Sequence, residues 1–132
     1  MRLLTLAALG LGLVGCAPYP AYRTVQPEAE LRVLDAQGRP LAGATVTLIA
    51  HAHPTPFEQS RETRTTDADG IARFDSRHEW QAEVLFLHGR LDYYWEWCVT
   101  APGRITALLS FATPMQLRLL PGASEPCPAP RR

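Results

Sequence analysis

Residues 31–48 read LRVLDAQGRPLAGATVTL, and the pattern of this stretch decides the fold class. Leu31 and Val33 alternate with Glu30, Arg32 and Leu34 until the run stops at Asp35-Ala36-Gln37-Gly38-Arg39-Pro40. Ala44, Val46 and Leu48 then alternate with Thr45 and Thr47. A period of two puts successive side chains on opposite faces, which is the signature of a half-buried strand. Gly38 and Pro40 supply turn chemistry between the two runs, so the stretch predicts a first hairpin.

The same grammar continues outward. A short strand around residues 63–66 meets Asp67-Ala68-Asp69-Gly70, a strong turn signal, and residues 71–74 return from it as a second hairpin. Longer strands are expected at about 80–87 and 91–100, joined near His88-Gly89-Arg90. Pro102-Gly103 turns the chain again; Ile105, Ala107, Leu109 and Phe111 then share a face, as do Met115, Leu117 and Leu119 after Pro114. No segment carries a capped helical stripe. The expectation is an all-β protein, a single β-sandwich of about seven to eight strands.

Residues 31–46, followed by Thr66-Asp67-Ala68-Asp69-Gly70-Ile71-Ala72-Arg73-Phe74, resemble the carboxypeptidase regulatory-like family, a transthyretin-like or immunoglobulin-like sandwich. The resemblance is clear only over residues 31–74, and residues 52–62 depart from the family's compact form as an insertion. It implies an accessory module and little chemistry, because the function of such sandwiches lies in grafted sites. Enzymes on related sandwiches lack their residues here. Intradiol dioxygenases need two Tyr and two His around iron with a late His-x-His, whereas His51-Ala52-His53 comes early and Tyr93-Tyr94 are adjacent. The closing Tyr-Arg-Gly-Ser of hydroxyisourate hydrolases is absent. All 13 basic residues are Arg, which excludes Schiff bases and Lys–Asn crosslinks.

Residues 1–15 have the three parts of a secretory signal: Arg2, an apolar run from Leu3 to Val14, and a small-residue end. Leu13-Val14-Gly15-Cys16 resembles the lipobox of bacterial lipoproteins. That resemblance implies cleavage before Cys16, a diacylglycerol thioether on its sulfur and acylation of the new amine, an anchor stronger than one acyl chain gives. Ala17 stands where an Asp would favour inner-membrane retention, which points to the outer membrane, facing the periplasm. With Cys16 lipidated, Cys98 and Cys127 remain as a pair in an oxidising compartment, where a disulfide is the default and a free Cys98 the alternative. Residues 16–28 read as a lipid-anchored tether, 29–120 as the sandwich, and 121–132, with four prolines, as a tail without regular structure beyond its pinning at Cys127.

The balance of 13 basic and 13 acidic residues leaves no basic stripe for nucleic acid. His51 and His53 share a strand face but need His78 or His88 to complete a metal site, and loop histidines are the plainer reading. Asp67-x-Asp69-Gly70 lacks the later ligands of a calcium loop. Ser60 and Ser110 have no His and Asp at triad spacing. No cofactor and no metal are expected. Tyr93, Trp95 and Trp97 fall on one face of their strand, opposite Tyr94, Glu96 and Cys98; they either fill the core or form a possible binding surface for a sugar or a partner, and the half-buried alternation favours the core. The sequence thus predicts a non-enzymatic envelope lipoprotein, held at the membrane through its N-terminal lipid. It would act as a binding or scaffold module for an envelope protein or glycan, or alternatively as a lipoprotein subunit of a secretion machine.

Overall fold

The computed structural model describes residues 17–84 and 90–132. The expected signal 1–15, Cys16 and the His88-Gly89 joint, with the end of the strand expected at 80–87, lie outside the described residues. Those residues contain no helix and nine strands: β1 (Tyr19–Gln26), β2 (Ala29–Leu34), β3 (Thr45–His53), β4 (Glu58–Thr65), β5 (Ile71–Phe74), β6 (Arg77–Glu83), β7 (Asp92–Thr100), β8 (Ala107–Ser110) and β9 (Met115–Arg118). They form a sheet of order β5-β2-β9, a sheet of order β4-β3-β7-β8, and a two-stranded ribbon, β1-β6. The chain is an all-β sandwich.

The core lies between the three- and four-stranded sheets. Ala29, Leu31 and Val33 of β2 and Ala72 and Phe74 of β5 face Val46 and Leu48 of β3 and Trp97 and Val99 of β7. The register sets Val46 opposite Val99 and Leu48 opposite Trp97, so period two delivers both strands' apolar sets to one side. Phe74 and Trp97 meet across the sandwich with ring centroids 5.4 Å apart.

Neither expected hairpin is one. β2 pairs with β5 and β9, while β3 pairs with β4 and β7, so the turn after β2 carries the chain from one sheet to the other. The turn between β4 and β5 carries it back. Both turns use one device. In Asp35-Ala36-Gln37-Gly38 and Asp67-Ala68-Asp69-Gly70 the aspartate Oδ1 accepts the backbone N–H groups two and four residues on, each at 2.9 Å. The glycine at the fourth position has positive φ, 80° at Gly38 and 73° at Gly70. Thr66 joins the two: its hydroxyl donates to the Leu41 carbonyl at 2.7 Å and accepts from Ala44 N–H at 2.9 Å. An aspartate turn looks the same in sequence whether its flanking strands pair with each other or with strands of opposite sheets, which is why pattern alone reads it as a hairpin.

Three further expectations change. The supposed tether is largely strand, because β1 pairs antiparallel with β6 from Tyr19↔Glu83 to Gln26↔Arg77. The supposed insertion 52–62 is mostly the end of β3 and the start of β4, which pair as a hairpin. The strand placed at about 80–87 begins earlier, as β6 at Arg77. The Pro-rich tail does lack strands, yet it is fastened: Arg61 Nη2 donates to the Pro128 carbonyl at 2.8 Å, Glu58 N–H to the Arg131 carbonyl at 3.2 Å, and Glu125 N–H to Thr106 Oγ1 at 3.0 Å.

Gly70 is where the turns press on β2. A Cβ there would lie 2.4 Å from the Val33 carbonyl oxygen and 3.0 Å from Leu41 N, both backbone atoms with nowhere to move. Gly70→Ala is therefore expected to cost at least about 2 kcal/mol, from the strained φ and the clash together. Gly43, also at positive φ, has open space at its Cβ position, so Gly43→Ala should cost less. Thermal unfolding of the two variants checks the ranking, and equal midpoints would refute it.

Candidate functional site

The β1-β6 ribbon has its polarity reversed. Alternation puts Arg23 and Val25 of β1 with Glu79, Gln81 and Glu83 of β6 on the side toward the domain. Glu83 is 2 % exposed and its carboxylate takes Arg23 Nε at 2.5 Å, Arg23 Nη2 at 2.7 Å and the Tyr19 hydroxyl at 3.0 Å. Gln81 Nε2 donates to the Tyr93 hydroxyl at 2.5 Å, and Trp95 Nε1 donates to the Val25 carbonyl at 3.1 Å. The opposite side holds Pro20, Tyr22, Thr24, His78, Trp80 and Ala82. Trp80 is 70 % and Tyr22 59 % exposed. Their ring centroids are 5.1 Å apart, and His78 stacks on Tyr22 at 5.4 Å with planes 17° from parallel. A sheet with one wet face normally turns its charges outward and its apolar side chains inward; this ribbon instead turns the Arg23–Glu83 pair inward beside Val25 and the rings of Tyr22 and Trp80 outward.

Of the three aromatics on β7, Trp97 is enclosed, with its Nε1 donating to the Ala112 carbonyl at 3.1 Å. Trp95 is half-buried, packed on the core and 5.7 Å from Phe111. Tyr93 is half-buried under the ribbon through its bond to Gln81. Trp97 thus has no surface to present, and the exposed rings of the molecule include Tyr22 and Trp80, which the sequence reading did not single out. Their signal was available: Tyr22 and Thr24 alternate with Arg23 and Val25 in a strand pattern, obscured by the prolines at 18 and 20.

A second concavity lies on the outer face of the four-stranded sheet. Cys98 faces outward from β7 and bonds to Cys127 with Cα atoms 6.0 Å apart, so the tail crosses this face and buries Cys98 completely. Beside the tail, His51, Tyr94, Glu96 and Arg61 line a groove of about 490 Å³ that the segments 53–56 and 128–131 help to wall. His51 stacks on Tyr94 at 5.0 Å, and its buried Nε2 approaches Glu96 Oε2 to 3.3 Å without the alignment of a hydrogen bond. His51 and His53 both line this groove, His78 is on the ribbon, and His88 is outside the described residues. Among the described residues no three His, Cys, Asp or Glu side chains cluster as metal ligands. Both Oδ1 bonds of Asp67 are spent on its turn. Ser60 and Ser110 sit on β4 and β8, the two edges of one sheet.

Comparison with protein-family models, curated proteins and solved structures finds no match.

Two predictions come from this geometry. Trp97→Ala should cost about 3–5 kcal/mol, as removal of a large core side chain does. Trp80→Ala, which loses a cross-strand ring pair in water, should cost less than about 1 kcal/mol. Chemical denaturation of both variants distinguishes them, and a stable, well-folded Trp97→Ala protein would contradict the core assignment.

The other concerns acid. The Arg23 guanidinium bonded to Glu83 holds that carboxyl below its ordinary range, and backbone N–H groups do the same for Asp35 and Asp67. A carboxyl depressed in the folded state stabilises fully above its unfolded pKa, and that contribution is lost as pH falls through the folded value. The melting temperature should therefore decline on acidification below the ordinary carboxylate range. Glu83→Gln should start lower at neutral pH and decline less steeply; parallel acid limbs in the two proteins would show that Glu83 contributes nothing to the slope.

Proposed function

We propose that this chain is a non-enzymatic lipoprotein of the bacterial cell envelope, with a carboxypeptidase regulatory-like sandwich presented at the membrane surface as a binding or scaffold module. The observation that carries the binding reading is the ribbon, which turns Tyr22 and Trp80 to solvent while its Arg23–Glu83 pair is turned inward. The lipobox-like Leu13-Val14-Gly15-Cys16 supports the anchor, and Ala17 supports outer-membrane residence. The Cys98–Cys127 disulfide suits a compartment outside the cytoplasm. The paired aspartate turns favour the carboxypeptidase regulatory-like assignment, since they include the residues that carry the resemblance.

The anchor is tested first. The wild-type protein, expressed in a bacterium with lipoprotein processing, should carry lipid on an N-terminal Cys16, and Cys16→Ser should accumulate as an unprocessed precursor. Intact-mass spectrometry reads both. A wild-type chain beginning at Cys16 or later without lipid would overturn the lipoprotein reading.

A further inference from the structure

Tyr22 and Trp80 lie on the face of the β1-β6 ribbon opposite its charges and turn to solvent, while Tyr19 bonds to Glu83 on the charged face. None of Pro20, Tyr22, Thr24, His78, Trp80 and Ala82 carries a carboxylate or a guanidinium; Arg23 and Glu83 pair on the domain side, and Arg77 and Glu79, on that same side of the strand, pair with each other at its exposed margin. Such a face suits a layer that is neither bulk water nor hydrocarbon. Trp and Tyr combine an apolar body with a polar tip, and at membrane–water interfaces they favour the headgroup region for that reason.

The position of the face in the chain indicates which layer this is. β1 begins at Tyr19, three residues after Cys16, so a lipid on that sulfur lies at most about 10 Å of extended chain from the ribbon and roughly 20 Å from Tyr22. Tethering this short raises the local concentration at the surface to the millimolar range, enough for a face of two rings to set an orientation although it is too small to bind alone. The polar inventory of the face argues against a sugar platform. Rings that bind sugars need flanking polar groups for the hydroxyls, and on the outward face of the two strands the polar neighbours are Thr24 and His78, neither of them a carboxylate or an amide.

We propose that the outward face of the ribbon, centred on Tyr22 and Trp80, lies in the phospholipid headgroup layer of the membrane that holds the Cys16 lipid, so that the sandwich is docked against the bilayer in one orientation. This inference rests on the lipoprotein reading.

The full processed protein is reconstituted into vesicles of phosphatidylethanolamine and phosphatidylglycerol, with or without brominated acyl chains, and two signals are read. Flotation with the vesicles reports the anchor, and quenching of tryptophan fluorescence by bromine reports the face. The expected result is flotation together with quenching that is stronger for bromines near the carbonyl end of the acyl chain than for bromines near its terminus. Trp80→Phe should float equally, keep its melting temperature and lose the quenchable emission, because Trp97 is enclosed and Trp95 half-buried. Flotation without quenching overturns the docking and leaves the anchor standing. Quenching that survives in Trp80→Phe also overturns it. Failure to float overturns the lipoprotein reading and this inference with it. Emission that responds to soluble peptidoglycan fragments and not to brominated lipid assigns the face to a glycan and overturns the docking.

Discussion

The sandwich depends on one close approach of backbone to backbone. Gly70 lies so near β2 that its carbonyl accepts the Val33 N–H at 2.7 Å, while the Val33 carbonyl accepts the N–H of Leu41 at 2.9 Å. No side chain fits between them. The two sheet-to-sheet turns are thereby locked to each other and to β2, with Thr66 tying the second turn to the start of β3. Everything downstream follows from that lock. Once both turns are fixed, β3 and β5 leave them in different sheets, and the apolar faces of β2, β3, β5 and β7 are brought to face each other. A change at this point acts on the pairing of whole strands, whereas a change in the core acts on one packing contact.

A second constraint holds the far side of the four-stranded sheet. Thr47, Ile49 and Cys98 are buried although they lie on the face away from the core, where the tail is bonded to Cys98 and Thr47 meets Thr63 of β4. A domain of this size has one modest core, and a cross-link compensates for that. Closing a loop of about 30 residues contributes roughly 3–4 kcal/mol on the chain-entropy view. The bonds from Thr106 and Arg61 then hold the four-proline tail along the face in a conformation with no strand of its own.

The legible parts of this fold are those governed by local pattern. Alternation at Leu31 and Val33, at Val46 and Leu48, and at Trp95 and Trp97 identifies strands and their inward sides, and cysteine arithmetic identifies the bridge. What local pattern does not encode is which strands pair. Asp35 and Asp67 make the same intra-turn bonds whether the flanking strands are neighbours or lie in different sheets, so the crossover is invisible until Gly70 is seen against Val33. β1 was hidden for a different reason. Pro18 and Pro20 and the mixed polarity of residues 19–26 read as tether, and the strand exists because β6 supplies a partner far away in sequence. Tyr22 was hidden with that strand, whereas Trp80 lies on β6, a strand expected from its pattern, and its outward side is set by pairing with β1.

The reversal of the ribbon follows partly from what it covers. Trp95 and Tyr93 present an indole N–H and a hydroxyl at the border of the core, and leaving either group buried without a partner costs about 1–3 kcal/mol. The Val25 carbonyl and the Gln81 amide supply those partners, and Glu83 and Arg23 satisfy each other beside them. The inward side of the ribbon thus holds the polar Gln81, Arg23 and Glu83 beside the buried Val25, and period two sends the alternate residues outward. That accounts for the buried polar side but not for the identity of the outward residues. Threonine or glutamate at positions 22 and 80 would meet the same pairing requirement, and an exposed cross-strand ring pair adds only about 0.2–1 kcal/mol to the ribbon. Folding alone gives little reason for a Tyr and a Trp at those two positions, and that gap is the ground on which the proposed contact outside the domain stands.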